Sequence, residues 1–309
     1  MEAPSGQGCP IRIADKDKDA ISAPYAGSRP PRCSAEFNGE APTSQESAAL
    51  EAAPIAPAPL EPGRPPQPVR PDLFLFAPNR DSQGGSAWWL ELADLDLLID
   101  VPALSEANLA FLRQRADRRG SGAPPPWIVL TGREGHGRCR RLQQALGWPV
   151  LVQEQEAYLL PGVEPLKTFA AEHTLAPGVR LLWTPGPSPG ACVLHARGAA
   201  AGGDGGVDGQ VDGLFCGRLL VPLAPGRLGP LISRRTFHGP RQLRSLARLH
   251  DWLPAGSPHW IASGAGLGAL RGEKLVGGGA ALLAELDRQG PEEASGQGLD
   301  GGDRAKFFA

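Results

Sequence analysis

Apolar residues in this chain come in short runs of strand length, separated by glycine- and proline-rich turns and by stretches with helical spacing. The central run is Trp127–Leu130 (W-I-V-L). It reads as a buried strand that breaks at the turn T-G-R-E-G-H-G and resumes as a helix through Leu142 and Leu146. Ahead of it, L-F-L-F-A, residues 87–92 (A-W-W-L-E-L) and residues 95–99 (L-D-L-L-I) read as strands. The last two are joined by a tight turn at Ala93-Asp94, and Asp100 closes the second. Ser105 has the hydroxyl that caps a helix running through Leu109 and Leu112 to about Arg118. Downstream, the pattern predicts strands at 150–152, 179–183, 192–196, 214–216 and 260–262. It predicts helices at 154–160, 240–253 and 280–288. Two groups of strands alternating with helices make a layered α/β domain over residues 72–288.

Composition bounds the rest. Of 309 residues, 41 are Gly and 33 Pro, concentrated in segments with little to bury. Residues 1–70, with A-A-P-I-A-P-A-P-L-E-P-G-R-P-P-Q-P, are expected to be a disordered, solubilising tail. Residues 197–212 (R-G-A-A-A-G-G-D-G-G-V-D-G-Q-V-D) are expected to form a flexible insertion, and residues 289–309 a mobile tail. A formal net charge of -2 gives no global attraction to nucleic acid or an anionic membrane. The 5 cysteines are scattered, with no C-x-x-C pair, which fits a reducing compartment. With no secretory signal and no apolar stretch of the ~18 residues that a membrane span needs, a cytoplasmic protein without a membrane partner is expected.

The order of the turns resembles that of the metallo-β-lactamase superfamily. L-L-I-D matches the strand whose aspartate, here Asp100, lies at the floor of that family's site. L-T-G-R-E-G-H-G stands where the family has T-H-x-H-x-D-H, and T-P-G-P-S-P-G where it has a T-P-G-H-T-P-G type turn. F-C-G-R-L-L stands for F-x-G-D, and I-A-S-G-A-G for a P-G-H-G ending. The resemblance implies a four-layer αββα sandwich that usually carries one or two zinc ions between its sheets. Zinc needs three or four His, Cys or carboxylate donors at about 2.0 to 2.3 Å. At the family's ligand positions this chain has Gly132, Glu134, His136, Gly137, Pro187, Arg218 and Ala265. The frame is that of a metal site, and most of its donors are missing. No cofactor is therefore expected.

The pocket that the resemblance implies is lined by Asp100, Glu134, His136, Ser188, Arg218 and Ser263. Glu134 is either a general base or one half of an ion pair with Arg133, Arg138 or Arg218. His136 is either a shifted ligand or a turn histidine that bonds nearby backbone or packs on Trp127. Arg218 replaces the metal charge and closes the pocket against Glu134 or Asp100, or it binds an anion. Ser188 and Ser263 are hydrogen-bond donors or simple turn residues. The leading expectation is a metal-free module that binds a small molecule or a protein. A first alternative is a hydrolase of an ester, thioester or phosphoester with a displaced zinc or other divalent metal, using Glu134 and His136 with His195 or His238. A second is an RNA-associated module using Arg241, Arg244 and Arg248 on one helical face, with Arg234 and Arg235 upstream, although nucleic acid is disfavoured by thin aromatic interleaving. The tryptophans are expected in the core and at sheet edges.

Overall fold

The short apolar runs become strands because they are buried on both faces. The computed structural model describes residues 59–201 and 210–289. The expectations for residues 1–58 and 290–309 fall outside the described residues. Among the described residues, seven strands form the first sheet: β1 (Gln67–Arg70), β2 (Leu73–Leu75), β3 (Trp88–Glu91), β4 (Asp96–Ile99), β5 (Trp127–Val129), β6 (Val150–Gln153) and β7 (Leu166–Phe169). They lie side by side in chain order. The pairings from β1 to β4 are antiparallel, and those from β4 to β7 are parallel. Helices α1 (Glu106–Asp117) and α2 (Cys139–Leu146) make the first two of the three crossovers that parallel pairing requires, and the 3₁₀ segment Glu154–Leu159 lies in the third.

The second sheet contains β8 (Glu172–Ala176), β9 (Val179–Trp183), β10 (Cys192–Ala199) and β11 (Gln210–Phe215). A two-stranded ribbon, β12 (Val221–Ala224) and β13 (Arg227–Gly229), follows, and then helix α3 (Gly239–Trp252). The chain returns through β14 (Trp260–Ala262) and β15 (Val276–Gly277) to a last helix, α4 (Gly279–Gln289). The spatial order is β15-β14-β11-β10-β9-β8.

Side-chain alternation separates three apolar layers. Trp88, Leu90, Leu97 and Ile99 from one sheet meet Leu181, Cys192, Leu194 and Phe215 from the other. The intervening residues Trp89 and Leu98 face the opposite way and pack with Leu109 and Leu112 of α1 and Leu142 of α2. Likewise Leu182, Val193 and Leu214 pack with Leu249 of α3 and Leu283 of α4. This is the expected αββα sandwich. Each fully buried leucine contributes about 1.5–3 kcal/mol, so neither face of either sheet tolerates a register slip.

The sequence reading differs from the structure at the margins. Residues 59–71 belong with the ordered domain. The Glu61 and Pro62 carbonyls accept from Glu106 N and Ala107 N at the start of α1, at 2.9 and 3.0 Å, and Gln67–Arg70 pairs with β2. Both ends of the 197–212 insertion belong to the second sheet: β10 continues to Ala199 and β11 begins at Gln210, with 202–209 outside the described residues. Strands β1, β7, β8, β12, β13 and β15 are short, and polar or interrupted by Pro or Gly, so they do not stand out without their neighbours.

Candidate functional site

The site lies where the turns after β4, β5, β9, β11 and β14 meet at one end of the two sheets. Asp100 ends β4 with φ 60, a left-handed conformation that costs a non-glycine residue free energy. Three bonds hold it there: its own N–H donates to Val129 O at 2.9 Å, and its carboxylate accepts from Thr131 N at 2.8 Å and Thr131 Oγ1 at 2.7 Å. Gly135 crosses so close that any β-carbon would collide with that carboxylate. Burial pushes the Asp100 pKa up to about 6. The Thr131 bonds and the nearby His136 and Arg218 charges oppose the rise without cancelling it.

A second carboxylate, Glu156, was not anticipated. It sits in a short 3₁₀ segment, Glu154–Leu159, after β6 and is fully buried. Its Oε1 accepts from Ser188 Oγ, and from Gly190 N at 3.1 Å. Its Oε2 lies 3.2 Å from His136 Nε2, at ion-pair distance, though the angle is poor for a hydrogen bond. Burial alone would raise the Glu156 pKa, but the His136, Ser188 and Gly190 contacts outweigh it and hold the group below the ordinary carboxylate range. Glu156 thus ties the turn after β5 to the turn after β9.

Arg218 follows Gly217, whose φ of 52 carries the chain over Thr131 at the end of β11. The guanidinium does not pair with Glu134 or Asp100, as the sequence reading expected. Its Nη2 donates to Ser82 O at 3.0 Å and Gln83 O at 3.2 Å, and it makes no ion pair among the described residues. Those carbonyls belong to a loop between β2 and β3 that lies across the site. The loop is fixed elsewhere by Asp81 to Arg138 Nε at 2.9 Å, by Gln83 Oε1 accepting from Arg235 Nη1 at 2.9 Å, and by Ser86 N donating to Gly264 O at 3.0 Å. The loop narrows the cleft among Ser82, Asp100, Thr131, Glu134, Ser188 and Arg218, which stays open to solvent on one side and leaves about 10 Å³ for the centres of water molecules.

The structure brings Asp100, Glu134, Ser188 and Arg218 to this one cleft. His136 is buried beside it on Glu156, and it neither bonds nearby backbone through Nε2 nor serves as a free ligand. Glu134 is half-buried and forms no ion pair with Arg133, Arg138 or Arg218. Ser263 does not line the cleft; its Oγ donates to Leu220 O at 3.0 Å and accepts from Ala265 N at 3.1 Å. The two remote histidines are engaged elsewhere. His195 Nε2 lies 2.8 Å from Asp212 Oδ1, and His238 Nδ1 accepts from Arg241 N at 3.1 Å to cap α3. Of the tryptophans, Trp88, Trp89, Trp148 and Trp260 are buried and Trp127, Trp183 and Trp252 half-buried, all in packing roles.

The residues present do not fit a zinc centre of the usual kind. Gly132, Pro187 and Ala265 offer no side-chain donor, Arg218 brings a permanent cation, and Asp100 and His136 are committed to Thr131 and Glu156. Among the described residues, no group of three or more His, Cys, Asp or Glu side chains is placed to hold a metal ion.

No family model matches the chain, and no curated protein matches it. Solved structures do. A B3 metallo-β-lactamase described as the first with an active-site glutamic acid aligns at 18% identity, covering 77% of this chain and 92% of its own, with a TM-score of 0.50. The metallo-β-lactamase SMB-1 aligns at 15% identity over 76% of this chain and 98% of its own, with a TM-score of 0.48. An archaeal metallo-β-lactamase superfamily protein from Sulfolobus tokodaii aligns at 18% identity over 72% and 86%, with a TM-score of 0.44.

Proposed function

We propose that this chain, which has the metallo-β-lactamase fold, is a non-catalytic binding or regulatory module. One observation carries the reading: the cleft that the fold reserves for its metal contains a guanidinium and is covered by a strapped loop. A hydrolytic metal needs convergent donors, an open coordination position and access for substrate. Here all the donors but Glu134 are replaced or engaged, and the cleft is narrow. The groups facing the cleft are the Asp100 and Glu134 carboxyls, the Arg218 guanidinium, hydroxyls and backbone, a mixed set that suits recognition of a small polar group after the loop moves.

The test is elemental analysis of untagged, purified protein, run beside thermal melts with and without EDTA. The expected result is less than stoichiometric metal, a Tm indifferent to chelator, and no chelator-sensitive hydrolysis of a generic ester. One bound metal per chain with EDTA-sensitive ester hydrolysis would establish the hydrolase instead. The free, buried thiols of Cys139, Cys192 and Cys216 support a reducing, cytoplasm-like compartment.

A further inference from the structure

We infer that the loop between β13 and α3, together with the start of α3, is a contact surface for an anionic lipid bilayer. The observation starts with charge segregation. Although the whole chain carries a net charge of -2, residues 213–250 contain no Asp or Glu, while their arginines are numerous. Three of these arginines are engaged: Arg218 and Arg235 on the strap loop, and Arg248 on Glu172 at 3.0 Å. The other four, Arg227, Arg234, Arg241 and Arg244, are exposed and form no ion pair among the described residues.

The second observation is apolar. Among the exposed large hydrophobic side chains, Leu231 (47%), Ile232 (42%) and Phe237 (49%) all lie in this same loop. The loop is well defined. Thr236 Oγ1 donates to Leu231 O and accepts from Ser233 N, Phe237 N donates to Pro187 O, and His238 N donates to Gly186 O. A fixed loop that presents aliphatic and aromatic side chains beside unpaired arginines matches the two forces of interfacial binding. The apolar tips enter the headgroup–acyl boundary while the arginines meet lipid phosphates.

Two other occupants fit less well. Nucleic acid would match the arginines, but Leu231 and Ile232 offer no ring for a base to stack on, and Phe237 stands with only the capping His238 as a neighbouring ring. A second copy of the chain would set the same arginines against one another across a two-fold axis, a like-charge arrangement that disfavours association. No helix among the described residues is long and apolar enough to cross a membrane, so the contact is peripheral. This differs from the expectation of no membrane partner, which rested on the net charge of -2 and the absence of a spanning segment. The inference does not depend on the cleft, because metal-loaded and metal-free protein would bind alike.

The test is co-sedimentation of the full chain with vesicles of phosphatidylcholine alone and of phosphatidylcholine with phosphatidylglycerol in equal parts. Binding is expected to the anionic vesicles only and is expected to fall steeply with salt. Arg234→Ala and Arg241→Ala should each weaken it roughly five-fold, and Phe237→Ser roughly ten-fold or more, with Tm unchanged because all three side chains are exposed. Three results would overturn the inference. One is no binding to anionic vesicles. Another is vesicle binding untouched by these substitutions. The third is single-stranded RNA binding, or self-association in sedimentation velocity, that is lost in the same variants while vesicles are ignored.

Discussion

Two carboxylates within one site have been driven in opposite directions. Asp100 on the floor of the cleft and Glu156 behind its wall, on Ser188, are both buried. Burial raises the pKa of any carboxylate, so the difference lies in the partners. Asp100 receives one amide and one hydroxyl, with cations only at a distance, and its pKa rises to about 6. Glu156 receives a hydroxyl, an amide and the edge of an imidazole, and its pKa falls below its ordinary value. The floor is therefore a carboxyl poised to hold a proton, and the wall is backed by a carboxylate kept ionised by its hydroxyl, amide and imidazole neighbours. Holding the turns together, a task metals perform in other sites, is here done by the wall.

The largest expected effect follows from that division. Glu156→Ala would leave the buried His136 imidazole without its neighbouring carboxylate, and Ser188 Oγ and Gly190 N without an acceptor. Each buried polar group left unsatisfied costs about 1–3 kcal/mol, so the loss of these contacts is expected to cost about 3–5 kcal/mol, measurable by urea or thermal unfolding. Glu156→Gln keeps acceptors for Ser188 and Gly190 and should cost less than half as much. If Glu156→Ala unfolds within about 0.5 kcal/mol of the wild type, the wall is not a brace and the contrast with Asp100 collapses.

The pH profile sharpens the same contrast. The folded pKa of Asp100 lies above its unfolded value of 3.8, so the folded chain holds that proton more tightly. Its contribution to stability is present at low pH and is lost as pH rises through about 6. A gap of that size corresponds to about 3 kcal/mol at most. Glu156, with a lowered folded pKa, contributes stability that is present above its ordinary value of 4.5 and lost as pH falls through the folded value. The two act on opposite sides: stability falls as pH rises from 3.8 through about 6 because of Asp100, and falls as pH drops below 4.5 because of Glu156. Asp100→Asn should flatten the alkaline limb, and Glu156→Gln the acid limb. Glu91 and Asp96, both raised by burial, share the alkaline limb, so some slope will survive Asp100→Asn. An unaltered alkaline limb in Asp100→Asn would show that the carboxyl titrates normally.

What was legible in the sequence divides along similar lines. The central strands, their helices and the Ser105 cap were readable because local apolar spacing and a hydroxyl in place carry that information. Asp100 was readable from its strand-ending position, and the missing metal donors from the order of the turns. Glu156 was not, because nothing in E-Q-E-A-Y-L marks it as buried. Its partners Ser188 and Gly190 lie more than 30 residues away in the chain and His136 lies 20 residues before it. For the same reason Arg218 was matched to the wrong partner. Position alone placed it among carboxylates, while a loop that the sequence does not announce reached it first.

The smallest effect tests that last correction. If Arg218 closed an internal ion pair, Arg218→Ala would strand a buried carboxylate and cost about 3–5 kcal/mol. In the structure it donates instead to two carbonyls at the edge of the cleft, one of them exposed to solvent. Loss of such charge-assisted bonds, with water able to replace them in part, costs about 1–2 kcal/mol. The more telling readout is local. Amide exchange across residues 79–86 should quicken in Arg218→Ala while the sheets stay protected, because the strap lies over the cleft and opens without disturbing the core beneath. Arg218→Lys, which keeps the charge without the fork, should fall between the two. Unchanged exchange in the loop would leave the cleft closed by something other than this guanidinium, and the floor and wall carboxylates would then have to account for the closure by themselves.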